Sequence, residues 1–168
     1  MTNDKFLHVR HKPPTVLKRP REIVLCCAPM RSNVNLSNIV RTAGCCGITR
    51  LIACGQANID RNVARDGADA VTIEVHRTLA PVLKQLKQVG YVLVGLEQAT
   101  GSVSLHEYRF QAKTALVIGN ERLGLSDEEL GQLDAVVEIP VWGMPHAYNV
   151  ANAAAMAMYE YCKQWPEG

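Results

Sequence analysis

The sequence predicts an α/β fold, a single domain built on a mostly parallel sheet with helices on both faces. Apolar strand-like runs alternate with helix-like segments from residue 23 onward. The runs are short and continuously apolar, the pattern of strands buried on both faces. Three of them lead into glycine- or proline-bearing loops, 96–101, 119–124 and 140–149. Open parallel sheets bind ligands beyond the carboxyl ends of their strands, so a site is expected at these loops.

Residues 1–22 are basic and punctuated by Pro13, Pro14 and Pro20, which predicts an extended arm ahead of a domain at 23–168. Ile23 to Ala28 reads as a buried strand. Asn35 to Gly47 reads as a helix with Ile39, Val40 and Ala43 on its apolar face and glycines near its end. Arg50 to Cys54 and Val71 to Val75 are short strands. Leu79 to Val89 places Leu79, Val82, Leu83 and Leu86 on one helical stripe. Tyr91 to Leu96 and Ala115 to Ile118 are strands again. Ser126 with Glu129 three residues later forms a capping-box signature. Val136 to Ile139 is the last strand and Asn149 to Gln164 the last helix.

Composition bounds the function. The 168 residues fit one domain, and 48% apolar with 20% charged residues excludes a disordered chain. No apolar run approaches the ~20 residues of a membrane span, and the N-terminus lacks the apolar stretch of a signal peptide. Net charge is +2, but Lys5, Arg10, Lys12, Lys18, Arg19 and Arg21 gather in the arm, behind Asp4. That arm suits phosphate contact or is a solvated terminus. Six cysteines form no CxxC pair, and adjacent Cys–Cys is a poor zinc-ligand spacing; they read as reduced core thiols of a cytoplasmic protein, with no metal expected.

Three constellations carry chemistry. In Asn35-Leu-Ser-Asn-Ile-Val-Arg41, Asn35 is suited to cap the helix or hold an acceptor. Arg41, on a mostly apolar helix, must reach solvent, a carboxylate or a phosphate. In Gly119-Asn-Glu-Arg-Leu-Gly-Leu125, glycines at a strand end let backbone approach a ligand, and Glu121 adds a carboxylate. No GKS or GKT follows, which excludes a Walker loop. The third runs from Glu138 to Glu160: strand, loop, then an alanine-rich helix apolar nearly all round, to be buried against its own sheet or a second subunit. Asn149 and Asn152 at the start of that helix need partners, and capping accounts for Asn149. A GxGxxG loop, HExxH and GxSxG are all missing. Of five histidines only His146, in the third loop, is a site candidate.

In this order and spacing the three segments resemble the signature of the SPOUT class of RNA methyltransferases, in the SpoU/TrmH-like 2′-O-ribose branch. The matching residues are Asn35 and Arg41, then Gly119, Glu121, Gly124 and Leu125, then Ile139, Pro140, Gly143, Asn149 and Val150. The resemblance covers residues 23–163. It implies a C-terminal trefoil knot, a homodimer, S-adenosyl-L-methionine as cofactor and RNA as substrate. It implies cofactor contacts at Leu96, Glu97, Gly119, Ile139, Gly143, Met144 and Tyr148. It assigns catalysis to Arg41, and Asn35, Glu121 and Asn149 are expected to join it; on physical grounds Arg41 is expected to hold phosphate and ribose 2′-oxygen, its guanidinium fixed by Glu121 and Asn35. One departure stands out: the family's Ser-Leu-Asn-Val-Ser reads Ala147-Tyr148-Asn149-Val150-Ala151 here. Both hydroxyls are gone, so a non-catalytic RNA- or cofactor-binding module is the rival expectation. With only a short arm before residue 23, tRNA is expected ahead of rRNA.

Overall fold

The computed structural model describes residues 6–168; Asp4 and Lys5 of the predicted arm lie outside the described residues. In chain order the elements are β1 (Val24–Cys27), α1 (Asn33–Cys45), β2 (Arg50–Cys54), α2 (Arg61–Ala64), α3 (Gly67–Ala70), β3 (Thr72–His76) and α4 (Leu79–Gln88). There follow β4 (Val92–Leu96), β5 (Val103–Ser104), β6 (Thr114–Ile118), α5 (Asp127–Leu130), β7 (Ala135–Glu138) and α6 (Val150–Gln164). The strands form one sheet in the order β3-β2-β1-β6-β4-β7-β5, and every pairing in it is parallel.

Period-two side-chain alternation divides the core. Leu25 and Cys27 of β1 point to the face covered by α1 and α6, beside Ile39, Val40, Ala154, Ala157 and Tyr161. Val24 and Cys26 point to the other face, under Leu79, Val82, Leu83 and Leu86 of α4. Central β1 and β6 are buried along their whole length, while edge strand β3 is half open. Each fully buried Leu or Ile contributes on the order of 1.5–3 kcal/mol relative to exposure.

Four expectations change, and three short elements are added. The first helix begins at Asn33, and its cap is Ser32, whose hydroxyl accepts from the Asn35 amide N–H at 3.2 Å. Asn35 sits inside the first turn, which frees its side chain. Helix α6 is buried on one side only: Ala151, Ala154, Ala157, Met158 and Tyr161 face inward, while Met156 and Tyr159 are exposed. The arm is not free along its length. Lys18 pairs with Glu167 at 2.6 Å, Arg19 donates to the Gly168 carbonyl at 2.8 Å, and Arg21 donates to the Cys46 carbonyl at 2.7 Å and to that of Trp165. Residues 6–16 are exposed throughout, Arg10 and Lys12 among them. Not all thiols are core: Cys26, Cys27 and Cys54 are buried, but Cys45 is exposed and Cys46 and Cys162 are half-buried. Short α2, α3 and two-residue β5 carry too few residues to show a period in sequence.

Among the described residues no helix is long and apolar enough to cross a membrane, and no group of three or more His, Cys, Asp or Glu side chains is placed to hold a metal ion.

Candidate functional site

Because β6, β4 and β7 are neighbours and run parallel, the loops that follow them emerge side by side at one edge of the sheet. A cavity of about 260 Å³ lies between them. Leu96 and Glu97 come from the first loop, Gly119 and Glu121 from the second, and Ile139, Tyr148 and Ala153 from the third and the helix after it.

The second loop is built by close backbone approach. Asn120 and Gly124 exchange both backbone hydrogen bonds at 3.0 Å. A Cβ on Gly119 would stand 2.7 Å from the Gly124 carbonyl carbon, and Gly124 has φ +66°. A side chain at Gly119 would displace backbone, and one at Gly124 would be strained by the positive φ and would meet the Glu97 carboxylate. The Asn120 side chain holds the turn from inside, accepting from Arg122 and Leu123 amides and donating to the Pro29 carbonyl at 2.6 Å. The first loop grips the second: Glu97 accepts from the Leu125 amide at 3.1 Å and from the Gln98 amide at 3.0 Å. The third is tied by Gln98, which donates to the His146 carbonyl at 3.1 Å, and by Ser102, which donates to Glu138 at 2.8 Å.

At the rim of the cavity the three constellations meet in one chain of hydrogen bonds. Glu121 accepts from the backbone N–H of Arg31 at 3.0 Å and Ser32 at 2.9 Å, and from the Asn35 side chain at 3.2 Å. Asn35 in turn accepts from the Asn149 side chain at 3.1 Å. The Asn149 side-chain oxygen caps α6, accepting from Ala151 and Asn152 amides. Asn149 is thus both cap and link. Burial pushes the Glu121 carboxyl up, but the backbone donors and Asn35 outweigh it and hold its pKa below the usual carboxylate range.

Arg41 stands apart. It is exposed, and among the described residues its side chain makes no hydrogen bond or ion pair. The expectation that Glu121 and Asn35 fix its guanidinium is therefore corrected: of solvent, a carboxylate or a phosphate, the Arg41 side chain reaches solvent. Six helical residues advance about 600°, which leaves Arg41 roughly 120° around the helix from Asn35. Its backbone is fixed instead by α3: a Cβ on Gly67 would lie 2.8 Å from the Arg41 Cα, so only glycine lets α3 pack this closely.

Of the seven expected cofactor positions, Leu96, Glu97, Gly119, Ile139 and Tyr148 line the cavity. Gly143 and Met144 sit farther out on the third loop, Met144 strongly exposed. His146 offers its backbone carbonyl to Gln98, and its residue is exposed. Sequence reasoning missed Ser32, Asn120, Gln98 and Ser102. Asn120 had a visible signal, an Asx turn before Gly124; the others act through contacts between distant segments.

The family model for the SpoU rRNA Methylase family matches residues 22–159. The tRNA (guanosine(18)-2′-O)-methyltransferase of Escherichia coli K12 is 27% identical over 88% of this chain, which spans 66% of that enzyme's length. The crystal structure of the Aquifex aeolicus TrmH/SpoU tRNA modifying enzyme superposes with a TM-score of 0.83 at 28% identity, covering 90% of this chain and 79% of that one. The SpoU methyltransferase AviRb from Streptomyces viridochromogenes, solved in complex with AdoMet, superposes with a TM-score of 0.73 at 27% identity over 90% of this chain and 64% of its own. With the match extending over most of its length and its three motifs gathered at one cavity, the chain belongs to the SpoU rRNA Methylase family.

Proposed function

We propose that this protein transfers a methyl group from S-adenosyl-L-methionine to a ribose 2′-hydroxyl of RNA, with tRNA as the substrate and a guanosine as the nucleotide. The observation that carries the reading is the hydrogen-bonded chain Glu121–Asn35–Asn149 at the cavity rim, which joins all three motifs. The tRNA (guanosine(18)-2′-O)-methyltransferase of E. coli and the A. aeolicus tRNA modifying enzyme support the choice of tRNA.

The cavity fits the cofactor's chemistry. Leu96, Ile118, Ile139 and Ala153 give apolar walls for an adenine and a methionine chain. Loop backbone, Tyr148 and the carboxylates of Glu121 and Glu138 supply polar groups for its hydroxyls and charged end. AviRb, with AdoMet bound, supports this assignment. Leu96, Glu97, Gly119, Ile139 and Tyr148 hold the group, Glu97 by bracing the second loop, and Gly143 and Met144 form the outer lip. When bound, S-adenosyl-L-methionine supplies an electrophilic sulfonium methyl.

A ribose hydroxyl is a weak nucleophile, so orientation is the main task of the protein. Asn35, Glu121 and Asn149 set the rim against which the nucleotide is held. Arg41, with no internal partner, donates its planar fork to the phosphate beside the target ribose and to the 2′-oxygen. It stays protonated, so it steadies developing negative charge and is not the base. Arg10 and Lys12 of the arm add phosphate contacts.

The wider organisation belongs to the same proposal. The arm is 1–22 and the methyltransferase domain 23–168. Helix α6 follows β7, beyond β4, and returns to pack on α1, which supports a threaded C-terminal knot. The exposed Met156 and Tyr159 on α6 support a homodimer through that face. Six unbridged thiols and an RNA substrate support the cytoplasm. The test is methyl transfer from labelled S-adenosyl-L-methionine to tRNA and rRNA transcripts, with the modified ribose mapped. Label on a tRNA guanosine 2′-oxygen is the expected result. Tight cofactor binding with no label on either RNA overturns the enzyme reading in favour of a binding module.

A further inference from the structure

We propose that Cys46 and Cys162 are an oxidisable thiol pair that a peroxide closes into a disulfide, stapling the C-terminal ends of α1 and α6 together. Cys46 is the C-cap residue of α1, and Cys162 lies in the last turn of α6. The Cys162 thiol donates to the Cys46 carbonyl oxygen at 3.7 Å. Both residues are half-buried, within reach of a small oxidant, whereas Cys26, Cys27 and Cys54 are sealed in the core. Arg21 lies beside the pair, its guanidinium donating to the same Cys46 carbonyl at 2.7 Å.

The neighbouring Cys46 thiol draws the Cys162 thiol below its usual range against the opposing effect of burial, and Arg21 adds to the lowering. The proximity of Cys162, with burial, pushes Cys46 up. Within the proposal Cys162 attacks and Cys46 resolves, and exchanging the two roles gives the same disulfide. The Cys162 sulfur attacks one peroxide oxygen, breaking the O–O bond to give a sulfenic acid and hydroxide, which takes up a proton to become water. The Cys46 sulfur then attacks the Cys162 sulfur, its proton leaving with the sulfenic oxygen as a second water. Two thiols lose two electrons and two protons, and one hydrogen peroxide becomes two waters. The link spans 116 residues of chain, so it strongly restricts the unfolded state. The inference stands on this end of the helix pair alone and does not depend on the methyltransferase reading.

The experiment treats the full chain with hydrogen peroxide, blocks remaining thiols by alkylation, and maps peptides beside thermal unfolding. A monomer lighter by two hydrogens, with a Cys46–Cys162 cross-linked peptide, is expected, and Cys45→Ser keeps it. Cys46→Ser loses it and leaves Cys162 oxidised to its oxyacids. The unfolding midpoint of the oxidised protein should rise by about 5 °C and return on adding dithiothreitol. A cross-link through Cys45, a disulfide between two chains, or no cross-link at a dose that oxidises exposed Cys45 overturns the proposal. An unchanged midpoint in a cross-linked sample overturns the staple.

Discussion

Helices α1 and α6 lie side by side and run the same way, yet their two ends are built on different principles. At the starting end Asn149 donates to Asn35 and Asn35 to Glu121, in a rim open to solvent. At the finishing end Tyr161 is fully buried and donates its hydroxyl to the Ala112 carbonyl at 2.7 Å, and the Trp165 indole N–H donates to Phe110 at 3.0 Å. Gln164 closes the same corner, bonding the Phe110 amide and the Tyr108 carbonyl. One end contributes stability through packing and the other contributes placement of a few polar atoms. A helix pair anchored firmly at one end can hold a weakly bonded site at the other, and substitutions at the two ends should have separable consequences.

The finishing end carries the largest effect. Tyr161→Ala removes a fully buried aromatic side chain and its hydrogen bond. The expected loss is about 3–5 kcal/mol, seen as a fall of roughly 10 °C in the unfolding midpoint. Turnover per folded molecule, measured well below that midpoint, should stay within about 2-fold of the parent. A much larger drop in turnover would show that the two ends are not separable.

Next comes Arg41→Lys, which keeps the charge but loses the bidentate fork. Because the Arg41 side chain makes no bond among the described residues, stability should be unchanged. Methyl transfer should fall by about 100-fold, equivalent to ~2.7 kcal/mol, while S-adenosyl-L-methionine affinity measured by calorimetry stays within about 2-fold. Normal turnover would remove Arg41 from the reaction.

The same contrast explains what the sequence made legible. The sheet, its central strands and α4 were visible because burial on two faces writes continuous apolar runs such as Ala115 to Ile118 and stripes such as Leu79, Val82, Leu83 and Leu86. The finishing end was hidden. Nothing in the local pattern around Lys18, Arg19 or Arg21 says that they bond the last residues of the chain, since those contacts span about 150 positions. The starting end was half legible. Asn35, Glu121 and Asn149 stood out as polar residues at helix starts and strand ends, but their order of bonding did not. Spacing alone placed Asn35 as cap, a role that Ser32 takes, and the mechanistic expectation tied Arg41 to Glu121, whose oxygens are occupied by Arg31, Ser32 and Asn35. Hydrogen-bond partners across 86 or 114 residues are set by the fold, and no local period encodes them.

Asn149→Asp separates the two tasks of one residue. A carboxylate still accepts from the Ala151 and Asn152 amides and suits a helix N-terminus. It cannot donate to Asn35. If the Asn35 amide turns to offer its NH₂ to the new carboxylate, it gives up its bond to Glu121, so the chain breaks either way. The unfolding midpoint should move by no more than about 2 °C, whereas turnover should fall roughly 10-fold, about 1.4 kcal/mol. Asn149→Ala should lose cap and link together, at about 1 kcal/mol of stability. Equal turnover in Asp and parent would reduce Asn149 to a cap.

Glu121 tests the rim through pH, with the smallest effect. Burial raises its pKa, but Arg31, Ser32 and Asn35 as donors more than offset this, so the folded value lies below the ordinary one. A depressed folded pKa gives stability that is present above the unfolded value of about 4.3 and is lost as pH falls through the folded value. Glu74, Asp134 and Glu160 are lowered as well, so the whole protein softens over this acid range. Glu121→Gln keeps one acceptor and the shape but removes the titrating charge. At neutral pH it should cost roughly 1 kcal/mol, allowing for solvent exposure. That difference should shrink as pH drops from about 6 to 3, where the parent carboxylate is itself protonated. Parallel stability curves for parent and variant across this range, followed by urea unfolding, would mean that Glu121 holds the loop through shape and not through charge.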